Sequence, residues 1–320
     1  MVWLMSATVI SWMLQKGGVG KSTQTGIMAW LLARRGKRVL VVDMDSQGNV
    51  STLLSQMEPY AFSNETVLEA VEDGDPRPYV LEIQVGLHLL PADDLLATYD
   101  RRIYEVKDEQ RRSEHPLFYL RDALSIVRDE YDYILIDCPP SLNQQTVSAL
   151  AMSDYVVTVL QTEVYAFQAL NRFFETLFYV KKGINPKLVM LGISAGMMDR
   201  YTLQNAILEA VQEQYGNLVF DTVLRRLVRI AEFATAGISD SRADQKTALA
   251  QYEQLLDEVL ARVHEGYEDV SIYHRALQSH LEYVDAKLEG ALPGMKRDRF
   301  ESLREALLAD IELAKEWTRK

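Results

Sequence analysis

The stretch MLQKGGVGKST, residues 13–23, places two lysines five positions apart around three glycines. A loop of the pattern G-x-x-x-x-G-K-[ST] needs one lysine. Here Gln15 stands where the first glycine belongs, so the match is a variant with Lys16 as an extra cation. Gly17, Gly18 and Gly20 let the backbone turn tightly against a polyphosphate. Its charge is then held by the amides of the loop, Val19 included, and by the N-terminus of a helix opening near Ser22. Lys21 would bridge the β- and γ-phosphates, Ser22 offers a hydroxyl to Mg²⁺, and Thr23 can donate to the α-phosphate. Two further sites carry carboxylates. Asp137 ends the apolar run YILID, where it can hold a water of the Mg²⁺ shell, as a Walker B residue does. In VVDMDSQGN, Asp43 and Asp45 lie two apart and project to the same side of an extended strand end, so one can assist the metal while the other orients water.

These residues need a frame that brings three distant segments together. Short β-branched runs alternate with helical patterns: SATVISWML, a helix over about 23–35 closed by Gly36, then RVLVVDMD. GLHLLPA, YDYILIDCPP, DYVVTVLQTE, KLVMLGISAG and LVFDTVL follow. Most are apolar throughout, the mark of strands buried on both faces, and with helices between them they predict a doubly wound, mostly parallel α/β sheet of the P-loop NTPase kind. In that architecture ligands sit at the carboxyl ends of strands, where the glycine loop, DMDSQGN and DCPPS all fall. The connection over about 56–78 carries no clear element. After Gly237 the pattern is helical alone: a helix over about 242–264, interrupted by Gly266, then two amphipathic helices on either side of ALPGM. The expected organisation is a sheet domain over 1–265 and a C-terminal helical hairpin over 266–320.

Composition narrows the function classes. Cys138 is the only cysteine, which excludes a disulfide framework, a thiol-ligated zinc site and an iron–sulfur cluster held within one chain, and points to the cytoplasm. The apolar first fourteen residues lack a charged n-region and a small-residue cleavage site, and read as a buried strand. A formal charge of −12 confines any nucleic-acid contact to a local patch. The five histidines, at 88, 115, 264, 274 and 280, show no ligand or triad spacing.

QKGGVGKST, VLVVDMDSQGN and YDYILIDCPPS, in this order, resemble the ParA/MinD family of deviant Walker ATPases, and most closely its ParA-type partition branch. The likeness covers roughly residues 5–263, with weaker support from LLPADDLL, LGISAGMMDR and VFDTVLRRLVRIAEFATAG. The resemblance implies a short form without an N-terminal helix-turn-helix domain. It also gives Lys16 a purpose: reaching across an ATP-sandwiched homodimer to the partner's phosphates, a cation in trans like an arginine finger. By the same resemblance Asp45 positions the attacking water, Asp43 supports the Mg²⁺ shell and Asp137 is the Walker B carboxylate. ATP and Mg²⁺ would be the cofactors. Non-specific DNA and a ParB-like or adaptor protein that stimulates slow hydrolysis would be the partners, with the protein on the nucleoid and not stably on the membrane.

Where partition proteins read P-R-N before V-R, this chain has Arg225, Arg226 and Leu227 before Val228 and Arg229. That departs from the adenine pocket, to which Arg225 and Met197 would contribute, and adds positive charge. Arg225, Arg226 and Arg229, with Lys181, Lys182 and Lys187, are the candidate DNA surface. Two other readings share the motifs. A MinD-like membrane-cycling ATPase needs a basic amphipathic tail, whereas Glu301, Glu305, Asp310, Glu312 and Glu316 make the last helix acidic. A metabolic enzyme using the same variant loop needs a substrate pocket with its own polar constellation, which the sequence does not display.

Overall fold

The computed structural model describes residues 6–13, 20–106, 113, 115–160, 166–198, 202–290 and 294–319. Eight strands form one sheet: β1 (Thr8–Met13), β2 (Val39–Asp43), β3 (Leu81–Gln84), β4 (Leu87–Leu90), β5 (Tyr133–Asp137), β6 (Tyr155–Leu160), β7 (Val189–Met198) and β8 (Val219–Arg225). Their spatial order is β3-β4-β2-β5-β1-β6-β7-β8, and every pairing is parallel except β3 with β4. The doubly wound sheet expected from the sequence is borne out. The antiparallel edge strand β3 was not foreseen; its partly exposed LEIQ run lacks the continuous apolar character of the others.

Period-two alternation sends each central strand's side chains to two separate cores. From β1, Val9 and Met13 enter one core while Ile10 and Trp12 enter the other. The second core is closed by α1 (Lys21–Arg34), α2 (Asn49–Ser55), α9 (Val228–Ala236) and α10 (Ala243–Glu265), through Ile27, Leu53, Phe233 and Tyr252 among others. The first core is closed by α3 (Val67–Asp73), α4 (Tyr99–Glu105), α5 (Tyr119–Ser125), α6 (Gln144–Met152), α7 (Ala166–Gly183) and α8 (Thr202–Tyr215). The connection that carried no clear pattern in the sequence contains α3, which opens on a capping box between Thr66 and Glu69.

Two last helices, α11 (Ser271–Glu289) and α12 (Gly294–Thr318), pack on each other and on α7. Asp285 pairs with Arg304 at 2.6 Å and Tyr273 meets Trp317 at 5.9 Å, so one index falls as the other rises and the helices are antiparallel. Their apolar stripe belongs to the first core: Tyr273, Leu277, Leu307 and Ile311 are buried beside Phe174 and Phe178. Arg262, near the end of α10, reaches under β7 and β8 and donates to the carbonyls of Leu191, Leu218 and Val219 at 2.9–3.1 Å. Among the described residues no helix is long and apolar enough to cross a membrane.

Candidate active site

Strand order brings the three motif-bearing segments together, because β2, β5 and β1 are neighbours at the centre of the sheet. The register sets Asp43 beside Asp137 and Asp137 beside Trp12, one residue before the end of β1. Lys16, Gly17, Gly18 and Val19 lie outside the described residues. Gly20 is described: it takes a left-handed conformation, φ 83°, which favours glycine, and starts α1 with no side-chain cap. Among the described residues no side chain caps the first-turn amides of α1, which lie at the carboxyl ends of the strands, the arrangement that suits an anion.

Lys21 is buried there, with its Nζ 2.8 Å from Asp137 Oδ1 and 4.0 Å from Asp45 Oδ2. Burial pulls its pKa down, but Asp137 and then Asp45 outweigh that and leave it raised, so the ammonium stays charged. Thr25, one turn later on the same face, donates to Asp137 Oδ1 at 3.2 Å and to the Lys21 carbonyl at 3.1 Å. The other oxygen, Asp137 Oδ2, is buried with no hydrogen-bond partner among the described residues. A buried orphan carboxylate oxygen beside an open helix N-terminus fits a hydrated cation whose water would satisfy it. Ser22 and Thr23, both half-buried, follow Lys21 in the first turn of α1 and bring two hydroxyls to it. No group of three or more acidic, histidine or cysteine side chains that could hold a metal exists among the described residues, so a cation here would depend on phosphate oxygens as well.

Asp43 anchors the turn beside them. It is fully buried, its Oδ1 accepts from the Asp45 amide at 3.0 Å, and its Oδ2 accepts from the Ser51 amide at 3.1 Å and the Ser51 hydroxyl at 2.7 Å. Both oxygens accept from protein donors, so Asp43 holds the loop after β2. Burial first, and the Asp137 carboxylate second, push its pKa well above the usual carboxylate range. Ser51 also accepts from the Ala92 amide at 3.1 Å and thereby joins α2 to the segment after β4. Asp45 is left with Oδ1 on the Gln47 amide at 3.1 Å and Oδ2 facing Lys21. Burial raises its pKa as well. Cys138, also fully buried, is a neutral thiol whose pKa burial pushes up to about 12.

Thr25 and Ser51 were not singled out in the sequence. Thr25 had a signal, since it sits four residues after Lys21 on one helix face; Ser51 had none, because its partners come from two other segments. Met197 lies in β7 and Arg225 ends β8, and the register pairs Arg225 with Met198, so both fall at the carboxyl end of the sheet. At about 4.8 Å per strand, β7 is about 10 Å and β8 about 14 Å from β1. The candidate DNA surface does not form one patch. Arg225, Arg226 and Arg229 sit at that carboxyl end, whereas Lys181 and Lys182 end α7, which runs back to the opposite end, where Lys181 donates to the Leu188 carbonyl just before β7. Lys181 also pairs with Glu268 and Lys182 with Asp310, which spends both on the helical hairpin. Arg229 pairs with Glu232 and Asp244.

The AAA domain family matches residues 7–190, more than half of the chain. The chromosome-partitioning ATPase Soj of Thermus thermophilus is 37% identical over 255 residues, covering 79% of this chain and 95% of its own length. The chain belongs to the ParA/MinD family of deviant Walker ATPases. Its ATPase fold is shared more widely. Cobyrinic acid a,c-diamide synthase from Mycobacterium smegmatis, with bound ADP and magnesium, superposes with a TM-score of 0.68 at 26% identity, over 82% of this chain and 97% of that one. A plasmid partition protein from Borrelia burgdorferi gives 0.60 at 26%, over 81% and 100%. Backbone likeness thus spans synthase and partition protein alike, and it is the sequence likeness to Soj that places this ParA-type ATPase in the partition branch.

Proposed function

We propose that this ParA-type ATPase is an ATP-driven switch that pairs on nucleotide, grips DNA without sequence preference and is reset by a partner that stimulates hydrolysis, so that a cargo is segregated or positioned. The observation that carries the reading is the buried Lys21, held between Asp137 and Asp45 at an open helix N-terminus next to an orphan carboxylate oxygen. On this reading Lys21 moves from Asp137 to the β- and γ-phosphates of ATP, with the first-turn amides of α1 and the side chains of Ser22 and Thr23 completing the cradle. Magnesium, held by Ser22 and through water by Asp137, would neutralise the phosphates when bound. Asp45 orients the attacking water with the oxygen that faces the site, and the Asp43–Ser51 clamp keeps it there. The partner's Lys16 supplies the cation in trans, which makes nucleotide binding and pairing one event. Met197 and Arg225 remain candidates for the base, and Arg225, Arg226 and Arg229 for DNA phosphates.

The test is a gel shift on a DNA fragment of arbitrary sequence at fixed salt, with and without ATP, alongside turnover and sedimentation. ATP-dependent retardation, and its loss together with pairing in Lys16→Ala, is expected. Retardation that ignores ATP, or pairing and turnover untouched by Lys16→Ala, would refute the switch.

A further inference from the structure

The helical hairpin does more than cover α7; it builds a second wall opposite it. On α7, Asn171, Arg172, Glu175, Thr176 and Tyr179 follow the three-and-four spacing of one helix face. On α11, Ala276, Ser279, His280 and Tyr283 do the same. The stripes meet at two hydrogen bonds, Asn171 Nδ2 to Ser279 Oγ at 3.1 Å and His280 Nδ1 with Glu175 Oε1 at 2.7 Å. On either side of Arg172 and Glu175 the surface sinks into a hollow. One, of about 400 Å³, lies between α7 and α11. The other, of about 520 Å³, lies between α7 and the segment Pro140, Ser141 and Leu142, which follows the Asp137 strand. The two hollows share Arg172 and Glu175 in their walls, so they form a groove divided at that pair, one end on the hairpin and the other beside the segment that follows Asp137.

The groove's chemistry is uneven. Tyr283 stands exposed at one end, and Tyr179 and Leu142 at the other. Glu175, which lines both hollows beside Arg172, is hydrogen-bonded to His280 Nδ1. The Arg172 guanidinium, exposed at the centre, has neither ion pair nor hydrogen bond among the described residues, in a chain where acidic side chains outnumber basic ones by 46 to 34. An uncommitted cation between aromatic and aliphatic ends is complementary to an extended peptide that carries one carboxylate flanked by apolar side chains. Within the screening length such a contact is governed by the local pair and not by the net charge.

We propose that this groove docks a short acidic segment of a partner protein, with its carboxylate on Arg172 and its apolar side chains against Tyr179, Leu142 and Tyr283. The proposal deepens the partner-stimulated reading above and rests on it only for the consequence of docking: the segment lies against Ser141, whose carbonyl is held by Thr146 Oγ1, so occupancy restrains the segment leading out of Asp137. A display library of random short peptides, panned against the full chain with ATP, should enrich sequences with Asp or Glu between apolar residues. The enriched peptide, made synthetically, is then titrated by fluorescence anisotropy. Arg172→Glu should weaken it at least about tenfold, and so should Ser279→Trp, which fills the α11 side; melting curves establish that each variant is folded. Enrichment of peptides without acidic residues, or affinity unchanged in both folded variants, overturns the groove. The two readings fail separately. Turnover with no groove-dependent peptide binding sinks only the docking site, whereas groove-dependent binding by a chain that does not hydrolyse ATP sinks only the switch.

Discussion

Ser51→Ala removes one hydroxyl and disturbs two buried groups. Asp43 Oδ2 loses its shorter donor and keeps only the Ser51 amide, and the Ala92 amide loses its acceptor. A hydrogen bond to a charged group contributes about 1.5–3 kcal/mol and an orphaned buried amide costs about 1–3 kcal/mol, so a loss of roughly 3 kcal/mol follows. At about 2.1 cal/mol/K of unfolding entropy per residue, a chain of 320 residues shifts by about 1.5 °C per kcal/mol, so the melting temperature should fall by roughly 4–5 °C. The loss should also grow with pH. Asp43 is raised in the folded state by burial and by Asp137, so the folded protein binds that proton more tightly than the unfolded chain. Its contribution therefore declines as pH rises from the unfolded value of about 3.9 through the raised folded one. Ser51 is among the donors that hold Asp43 down, so removing it costs only the Ala92 part where Asp43 is protonated and the full amount where Asp43 is charged. Melting of the nucleotide-free protein at about pH 6 and about pH 8.5 is the assay, because the two bracket the raised folded value of about 7. A drop under about 1 kcal/mol, or one that shrinks as pH rises, would refute the clamp.

Other substitutions test the remaining parts. Lys21→Met leaves Asp137 and Asp45 buried without their shared cation; binding of a fluorescent ATP analogue should be lost, and removing one member of a buried pair should cost about 3–5 kcal/mol by chemical denaturation. Gly48→Ala places a Cβ 2.8 Å from Pro59 Cγ and 3.1 Å from the Ala92 carbonyl at a φ of 59°, so a destabilisation of about 2 kcal/mol is expected, read by thermal melting, together with slower turnover because Gly48 closes the Asp45 loop. Arg262→Met strands three carbonyls beneath β7 and β8 and should cost about 3 kcal/mol, with hydrogen exchange rising in those two strands before the others.

The motifs were legible because each is local: glycines, a lysine and strand-end aspartates recur at fixed spacing whatever surrounds them. The strands β1, β2 and β5 announced themselves as apolar runs, since a strand covered on both faces has no polar side to show. Ser51 stayed hidden because its role depends on β4 lying beside β2, which no local pattern encodes. The same reason explains Asp43: spacing put it beside Asp45, but only the fold showed that its oxygens are already bonded to Asp45 and Ser51. Lys181 and Lys182 looked like surface charge because Glu268 and Asp310, which hold them, come from elements more than eighty residues later.

The aromatic contact between Phe178 and Trp317, 5.1 Å between ring centres, joins positions about 140 residues apart. During synthesis the outer flank of α7 therefore stays greasy until the last helices emerge and close over it. A nascent chain can assemble its phosphate loop long before that flank is sealed, and in the interval it is a natural client for a chaperone and a liability for self-association. Completion of the hairpin thus sets the moment at which the newly made protein becomes safe to accumulate.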